Sequence, residues 1–159
     1  MTIWIDADSC PRQVRDLVCK RGARHSDRVV FVANRDIPRE GFPGVEMVVA
    51  DTTPDAADDY IVENAEDNDL AITRDIPLAS RLVTRGISVI NDRGTTYTES
   101  NIRERLSMRN FMMDLYNNGY MPEKTGQFGS REMKDFANAL DREITRLRKK
   151  RESGKGNET

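Results

Sequence analysis

Five short apolar runs, Ile3–Ile5, Val29–Ala33, Val45–Ala50, Leu70–Thr73 and Ile87–Ile90, recur through the first ninety residues. Helical spacing fills three of the four gaps between them: Val14, Leu17 and Val18, then Ile61, Val62 and Ala65, then Leu78, Leu82 and Val83. Runs this short and this apolar are strands buried on both faces, and strands separated by amphipathic helices are joined by parallel crossovers. The expectation is an α/β fold built on a five-stranded parallel sheet. Pro11, Pro54 and Pro77 each follow a run closely, with Ser, Thr or Asp nearby, and mark helix starts. The remaining gap, Asn34 to Gly44, holds Pro38, Gly41, Pro43 and Gly44 and is expected as a long loop between strands two and three.

After Gly94 the strand signals stop, and two longer helical patterns follow, about Ser100 to Asn117 and Ser130 to Lys150, joined by a linker from Asn118 to Gly129. The second carries Met133, Phe136, Ala137, Leu140, Ile144 and Leu147 on one stripe, wide enough to dock on a core. Both helices are expected to cover the sheet. The reading is one domain over residues 1–150, with 151–159 as a disordered tail.

The chain has 159 residues and a formal charge of -2, which suits a single domain and excludes a strongly basic nucleic-acid binder. A charged fraction of 33% and the lack of a long apolar run argue against a membrane partner. Two cysteines nine residues apart, Cys10 and Cys19, and one histidine, His25, supply no zinc set. Any metal must be held by oxygen. The first residues lack the basic and apolar regions of a secretory signal, so a reducing cytoplasm with free thiols is the expected location.

Charge is unevenly placed. Residues 1–97 carry 12 basic and 17 acidic side chains, against 13 and 10 in residues 98–159. From Glu40 to Thr73 there are ten acids and no Lys or Arg. In an open parallel sheet, ligands bind at the carboxyl ends of the strands, and the acids gather there. Asp6 and Asp8 end strand one, Asp51 and Asp55 follow strand three, Asp75 follows strand four and Asp92 follows strand five. Asp58 falls on the face of its helix that Ile61 and Val62 mark as inward, while Asp59 and Glu63 face water. If extended geometry persists, Asp6 and Asp8 project the same way.

Carboxylates brought to about 4 Å of one another repel by roughly 4 kcal/mol per pair at an effective dielectric of 20. A cation between them relieves this, and Mg²⁺ or Mn²⁺ prefers such oxygen donors. That chemistry serves phosphodiester cleavage. Asp8 and Asp75 also suit helix capping, and Asp92 suits a turn. For substrate phosphate the candidates are Arg93, on the rim after strand five, and Arg109, which lies in the apolar seam of Ile102, Leu106, Met113 and Tyr116. The run Arg146, Arg148, Lys149, Lys150, Arg151 reads as a solvated helix end.

The segments Ile5-Asp6-Ala7-Asp8-Ser9-Cys10-Pro11, Ala57-Asp58, Thr73-Arg74-Asp75-Ile76-Pro77-Leu78-Ala79, Asn91-Asp92-Arg93-Gly94 and Arg103-Glu104-Arg105-Leu106-Ser107-Met108-Arg109 resemble the YaiI/YqxD family of uncharacterised bacterial proteins. The likeness spans about residues 1–145. That family is grouped with PIN-like domains, which implies a three-layer fold with strand order 3-2-1-4-5 and C-terminal helices. It also implies a Mg²⁺- or Mn²⁺-dependent ribonuclease with Asp6, Asp58 and Asp75 as its acidic core and Asp8 and Asp55 nearby. The family pattern often has Pro where this chain has Asp92.

The leading expectation is thus a metal-dependent nuclease acting on RNA or another phosphodiester: Asp6, Asp58 and Asp75 are catalytic, with Asp8 joining them on the metal, Asp55 secondary, and Arg93 and Arg109 on phosphate. Two alternatives stand beside it. Asp6-Ala7-Asp8 after an apolar strand resembles haloacid-dehalogenase-like phosphatases, although there is no Lys between Lys20 and Lys124 to meet the phosphate and Arg74 or Arg93 would have to substitute. A non-catalytic module that binds nucleic acid or protein fits the same fold.

Overall fold

Strand β1 (Thr2–Asp6) alternates its side chains between two cores: Ile3 and Ile5 point to one side of the sheet and Trp4 to the other. The computed structural model describes residues 1–39, 41–120 and 126–156. In it, β2 (Arg28–Ala33), β3 (Glu46–Val49), β4 (Leu70–Ile72) and β5 (Ser88–Ile90) run parallel to β1, and a further strand, β6 (Thr96–Tyr97), pairs antiparallel with β5. The order is β3-β2-β1-β4-β5-β6. The parallel five-stranded core matches the reading of the apolar runs, its order is the one the family resemblance implies, and β6 corrects the expectation that strands end at Gly94. Two residues are too few to show a period of two.

The alternation seen in β1 continues across the sheet and makes three layers. Ile3, Ile5, Val29, Phe31, Leu70, Ile72 and Ile90 meet α1 (Arg12–His25) and α5 (Ser130–Gly156). Trp4, Val30, Val32, Ala71 and Val89 meet α2 (Ala56–Asn64), α3 (Ile76–Thr84) and the start of α4 (Glu99–Asn117). Burial of both faces explains why β1, β2, β4 and β5 read as apolar runs, whereas β3, at the sheet edge, is only partly buried and leaves Val49 55% exposed, against the expectation of a doubly buried strand.

Helix α5 docks through Phe136, Ala139, Leu140, Ile144 and Leu147, all buried. Its basic end is pinned to the body, since Arg148 pairs with Asp27 at 2.6 Å and Arg146 holds both Glu143 and the Ser88 hydroxyl. The helix is described to Gly156, past residue 150, where the sequence reading ends the domain. Residues 157–159 of the expected tail and 121–125 of the linker lie outside the described residues.

Helix α4 departs from expectation. A capping box between Thr98 and Asn101 starts it, and Ile102 anchors it, but Ile102 is its only buried residue. It leans on α3 and does not cover the sheet. Among the described residues, no helix is long and apolar enough to cross a membrane.

Several acids of the Glu40–Thr73 run hold the fold together. Asp69 accepts hydrogen bonds from the backbone N–H of Thr2 (2.9 Å) and Glu66 (2.9 Å) and from the Trp4 indole (3.1 Å). Asp59 reaches Arg81 at 2.8 Å and ties α2 to α3, so it is not the purely solvated residue expected. Glu46 pairs with Arg28 across β2 and β3.

Candidate active site at the carboxyl rim

Strands β1, β2 and β3 lie on one side of the junction where strand order reverses, and β4 lies on the other. A cavity of about 490 Å³ opens at their carboxyl ends. Its lining includes Asp6, Asp8, Asp51, Asp55, Asp58 and Asp75, and Arg74 is the one cation among its described lining residues. Each acid is placed by a local feature of the chain.

Asp6 is the last residue of β1, on the Trp4 side of the pleat and 7% exposed. The Thr73 hydroxyl donates to its Oδ2 at 2.7 Å and in turn accepts from the Asp75 backbone N–H at 2.9 Å. Extended geometry stops there, because Ala7 to Ser9 form a turn. Asp8 still lines the cavity, held by Arg35 at 3.2 Å and by the Asn34 N–H at 3.4 Å. Asp75 caps α3, its Oδ1 accepting from the Leu78 N–H at 3.0 Å, so it serves as cap and cavity wall together. Asp55 sits at the start of α2 with φ 64° and makes no side-chain cap, and Asp58 follows one turn later, half-buried.

Burial pushes the Asp6 carboxyl above its usual range; Thr73 and Ser9 pull it back, and the charges of Asp75 and Asp8 push it further up. Asp58 is pushed up to about 7 by burial and then by Asp75, Asp6 and Asp55, with Arg81 opposing. These acids feel one another's charge. The arrangement stores repulsion that a cation can relieve.

One consequence is measurable without a ligand. The folded Asp58 titrates near 7 against an ordinary 3.8, so the folded chain binds more protons in that window and loses stability as pH rises through it. Asp58→Asn removes the charge. With a discount for partial exposure, the expected gain at pH 8 in chelator is about 1–2 kcal/mol, or roughly 2–8 °C in Tm. At pH 4 the gain should vanish, which thermal melts at the two pH values check.

Of the two arginines that the phosphatase reading offers for phosphate, Arg74 lines the cavity, and a buried partner holds it there. Its guanidinium pairs with Asp92, which is fully buried in the turn after β5. Asp92 is therefore more than a turn residue. Its Oδ1 has no hydrogen-bond partner among the described residues, and its other oxygen is the one that meets Arg74. No sequence period signals a pairing between residues eighteen apart on neighbouring strand ends.

Neither Arg93 nor Arg109 lines the cavity. Arg93 donates to the Gly126 carbonyl at 3.0 Å, faces Glu132 at 3.8 Å and lies over the Phe128 ring. Those contacts make it a tie between the β5 turn and the start of α5. Arg109 lies along an apolar groove on α4.

Fit to a divalent ion follows from the donor set. Cys10 and Cys19 are buried and free, and no His or Cys lines the cavity, so the donors are hard oxygens that suit Mg²⁺ or Mn²⁺ better than zinc. No three acidic, His or Cys side chains among the described residues are already grouped to hold a metal ion. Mg²⁺ takes one or two carboxylates and keeps several waters, so a spread set of aspartates around one cavity remains within its habits.

The family model described as "Uncharacterized BCR, YaiI/YqxD family" matches residues 4–146. A UPF0178 protein of Treponema denticola is 52% identical over 151 residues, covering 95% of this chain and 96% of its own. One from Treponema pallidum is 51% identical over 161 residues (99% and 91%), and one from Psychromonas ingrahamii is 46% identical over 149 (94% and 99%). No solved structure matches the chain. With the family model spanning nearly all of the sheet, both helical layers and every residue of the acidic cavity, the chain belongs to the YaiI/YqxD family.

Proposed function

We propose that the chain is a Mg²⁺- or Mn²⁺-dependent phosphodiesterase that cleaves RNA. The observation that carries this reading is the cavity at the sheet's switch point, with six aspartates and one arginine among its described lining residues. Repulsion among Asp6, Asp58 and Asp75 favours a cation, and the oxygen donors favour a hard one. The likeness to PIN-like domains in the acidic core points the same way.

Asp6, Asp58 and Asp75 would hold the metal, with Asp8 beside them. The metal, when bound, supplies an activated water and offsets charge on the attacking and leaving oxygens. Thr73 orients Asp6 through one hydrogen bond and is itself fixed by the Asp75 backbone. Asp75 commits Oδ1 to the helix cap, which fixes its rotamer and leaves Oδ2 for a ligand. Arg74, half-exposed and steadied by Asp92, presents a guanidinium to a phosphate entering the cavity. Asp8, tied to Arg35 and the Asn34 backbone, keeps the β1 turn closed against the β2 end.

Cleavage of a short single-stranded RNA in Mn²⁺ tests the reading. The wild type should cleave, and Arg74→Ala should raise KM by about 10–100-fold, the worth of a charged hydrogen bond of ~1.5–3 kcal/mol, with a smaller change in kcat. Arg93→Ala should leave KM near the wild-type value. Failure of the wild type to cleave RNA or a simple phosphodiester in either metal would overturn the proposal.

A further inference from the structure

The turn after β1 touches the ends of both neighbouring strands. On the β2 side, Asp8 accepts from the Asn34 backbone N–H at 3.4 Å and pairs with Arg35 at 3.2 Å. On the β4 side, the Ser9 hydroxyl accepts from the Arg74 backbone N–H at 3.2 Å. Arg35 and Arg74 therefore stand on opposite sides of β1. The acidic cavity opens between these ends, with Asn34 and Asp8 in its wall toward β2 and Arg74 and Asp75 in its wall toward β4.

Each of the two arginines is held by an aspartate through a single nitrogen. Arg74 uses one terminal nitrogen on Asp92. Arg35 uses Nε on Asp8, and its two terminal nitrogens make no hydrogen bond among the described residues. Arg39, nearby in sequence, shows the contrast, because its Nη1 is taken by Asp36 and by the Ile37 carbonyl. The Arg35 side chain is 68% exposed, and an open pair of this kind adds little to stability. A guanidinium fixed at Nε with its terminal fork unused is arranged to meet a phosphate.

We infer that Arg35 is a second phosphate-binding residue of the cavity, so that the site takes a nucleic-acid strand through at least two successive phosphodiester linkages. The assignment rests on the phosphodiesterase reading of the same cavity. Strands β2 and β4 are two spacings apart, and Asp92, which holds the Arg74 head, follows β5, one spacing further. At ~4.8 Å per spacing, the strand ends that carry the two guanidiniums lie roughly 10–14 Å apart. A single phosphate cannot bridge that gap, whereas neighbouring phosphates of one strand can. With one phosphate at Arg74, the next meets Arg35, and the backbone crosses the rim from β4 toward β2. The second cation also offsets the repulsion that six aspartates in the wall exert on an approaching polyanion.

The test compares a dinucleoside monophosphate, with one linkage, and an RNA trinucleotide, with two, as substrates of the full chain in Mn²⁺. The trinucleotide has a register that places its second phosphate at Arg35 whichever way the strand runs. For the wild type its KM should be about tenfold lower, the low end for a charged hydrogen bond because Arg35 is exposed, and Arg35→Ala should bring the ratio of the two KM values close to one. Arg35→Ala is expected to fold, as circular dichroism will show. Binding is read apart from turnover by anisotropy of a labelled trinucleotide on the Asp6→Asn background. There, Arg35→Ala should lower the slope of log Kd against log salt by about 0.7, one phosphate contact on a single strand. Equal KM values in the wild type, or an Arg35→Ala chain that keeps either the trinucleotide advantage or the salt slope, would overturn the assignment and leave Arg35 a tie between β1 and β2. The phosphodiesterase reading would survive those results. Cleavage of neither substrate would overturn that reading and the assignment with it.

Discussion

Asp6→Asn should lower Mn²⁺-dependent phosphodiester cleavage by about a thousandfold, ~4 kcal/mol of barrier, while the protein melts no lower than the wild type. The two halves of this expectation come from the same geometry. Asp6 sits almost fully buried at the end of β1, with its charge opposed by burial and by Asp75 and Asp8. An amide in its place still accepts the Thr73 hydrogen bond through its carbonyl oxygen, and its N–H₂ can donate toward the neighbouring carboxylates. The substitution thus removes a charge that the fold bears at a cost and that a cation needs. A variant with full activity would place the reacting centre elsewhere. One that unfolds would make Asp6 a structural carboxylate like Asp69.

The largest stability effect is expected at a glycine outside the cavity. Gly94 has φ +88°, and a Cβ there would lie 2.5 Å from the Asp135 carbonyl oxygen and 2.7 Å from its carbon, both in α5. Backbone cannot swing aside as a side chain can. Gly94→Ala must therefore lift the start of α5, where Phe136 is fully buried in the sheet core. Left-handed strain of ~1 kcal/mol, added to the ~1.5–3 kcal/mol of an exposed Phe, gives a loss of about 3 kcal/mol or more. Gly86 makes the control, since its φ of +79° carries the same strain with nothing within 4 Å. Gly86→Ala should lose only ~1 kcal/mol. Urea unfolding of the two variants distinguishes them, and equal losses would contradict the close approach. Gly94 also closes the turn that carries Asp92, so displacement there should loosen Arg74 at the cavity.

Much of this fold is legible in residue patterns because its central strands are buried on both sides. Val29 to Ala33 reads as one apolar run for the same reason that Phe31 and Val32 meet different helices. Residues with local causes are also legible: Pro77 inside the first turn of α3, and Asp58 on the inward side of α2. What residue patterns do not carry depends on distant partners. Arg74 gains its place through Asp92, and Arg93 loses its expected role to Glu132 and the Gly126 carbonyl. Helix α4 escaped for another reason. Its apolar stripe looks like a core stripe, and only the position of α3 reveals that it overhangs.

The measurement that bears most directly on the acidic cavity is calorimetric titration of Mn²⁺ into the wild type and into Asp6→Asn, both checked for folding. Saturable binding to the wild type, lost or weakened at least tenfold in Asp6→Asn, is the expected result. No binding to the wild type at millimolar Mn²⁺, with or without a short oligonucleotide present, or equal binding to both proteins, would contradict a carboxylate metal site at the end of β1.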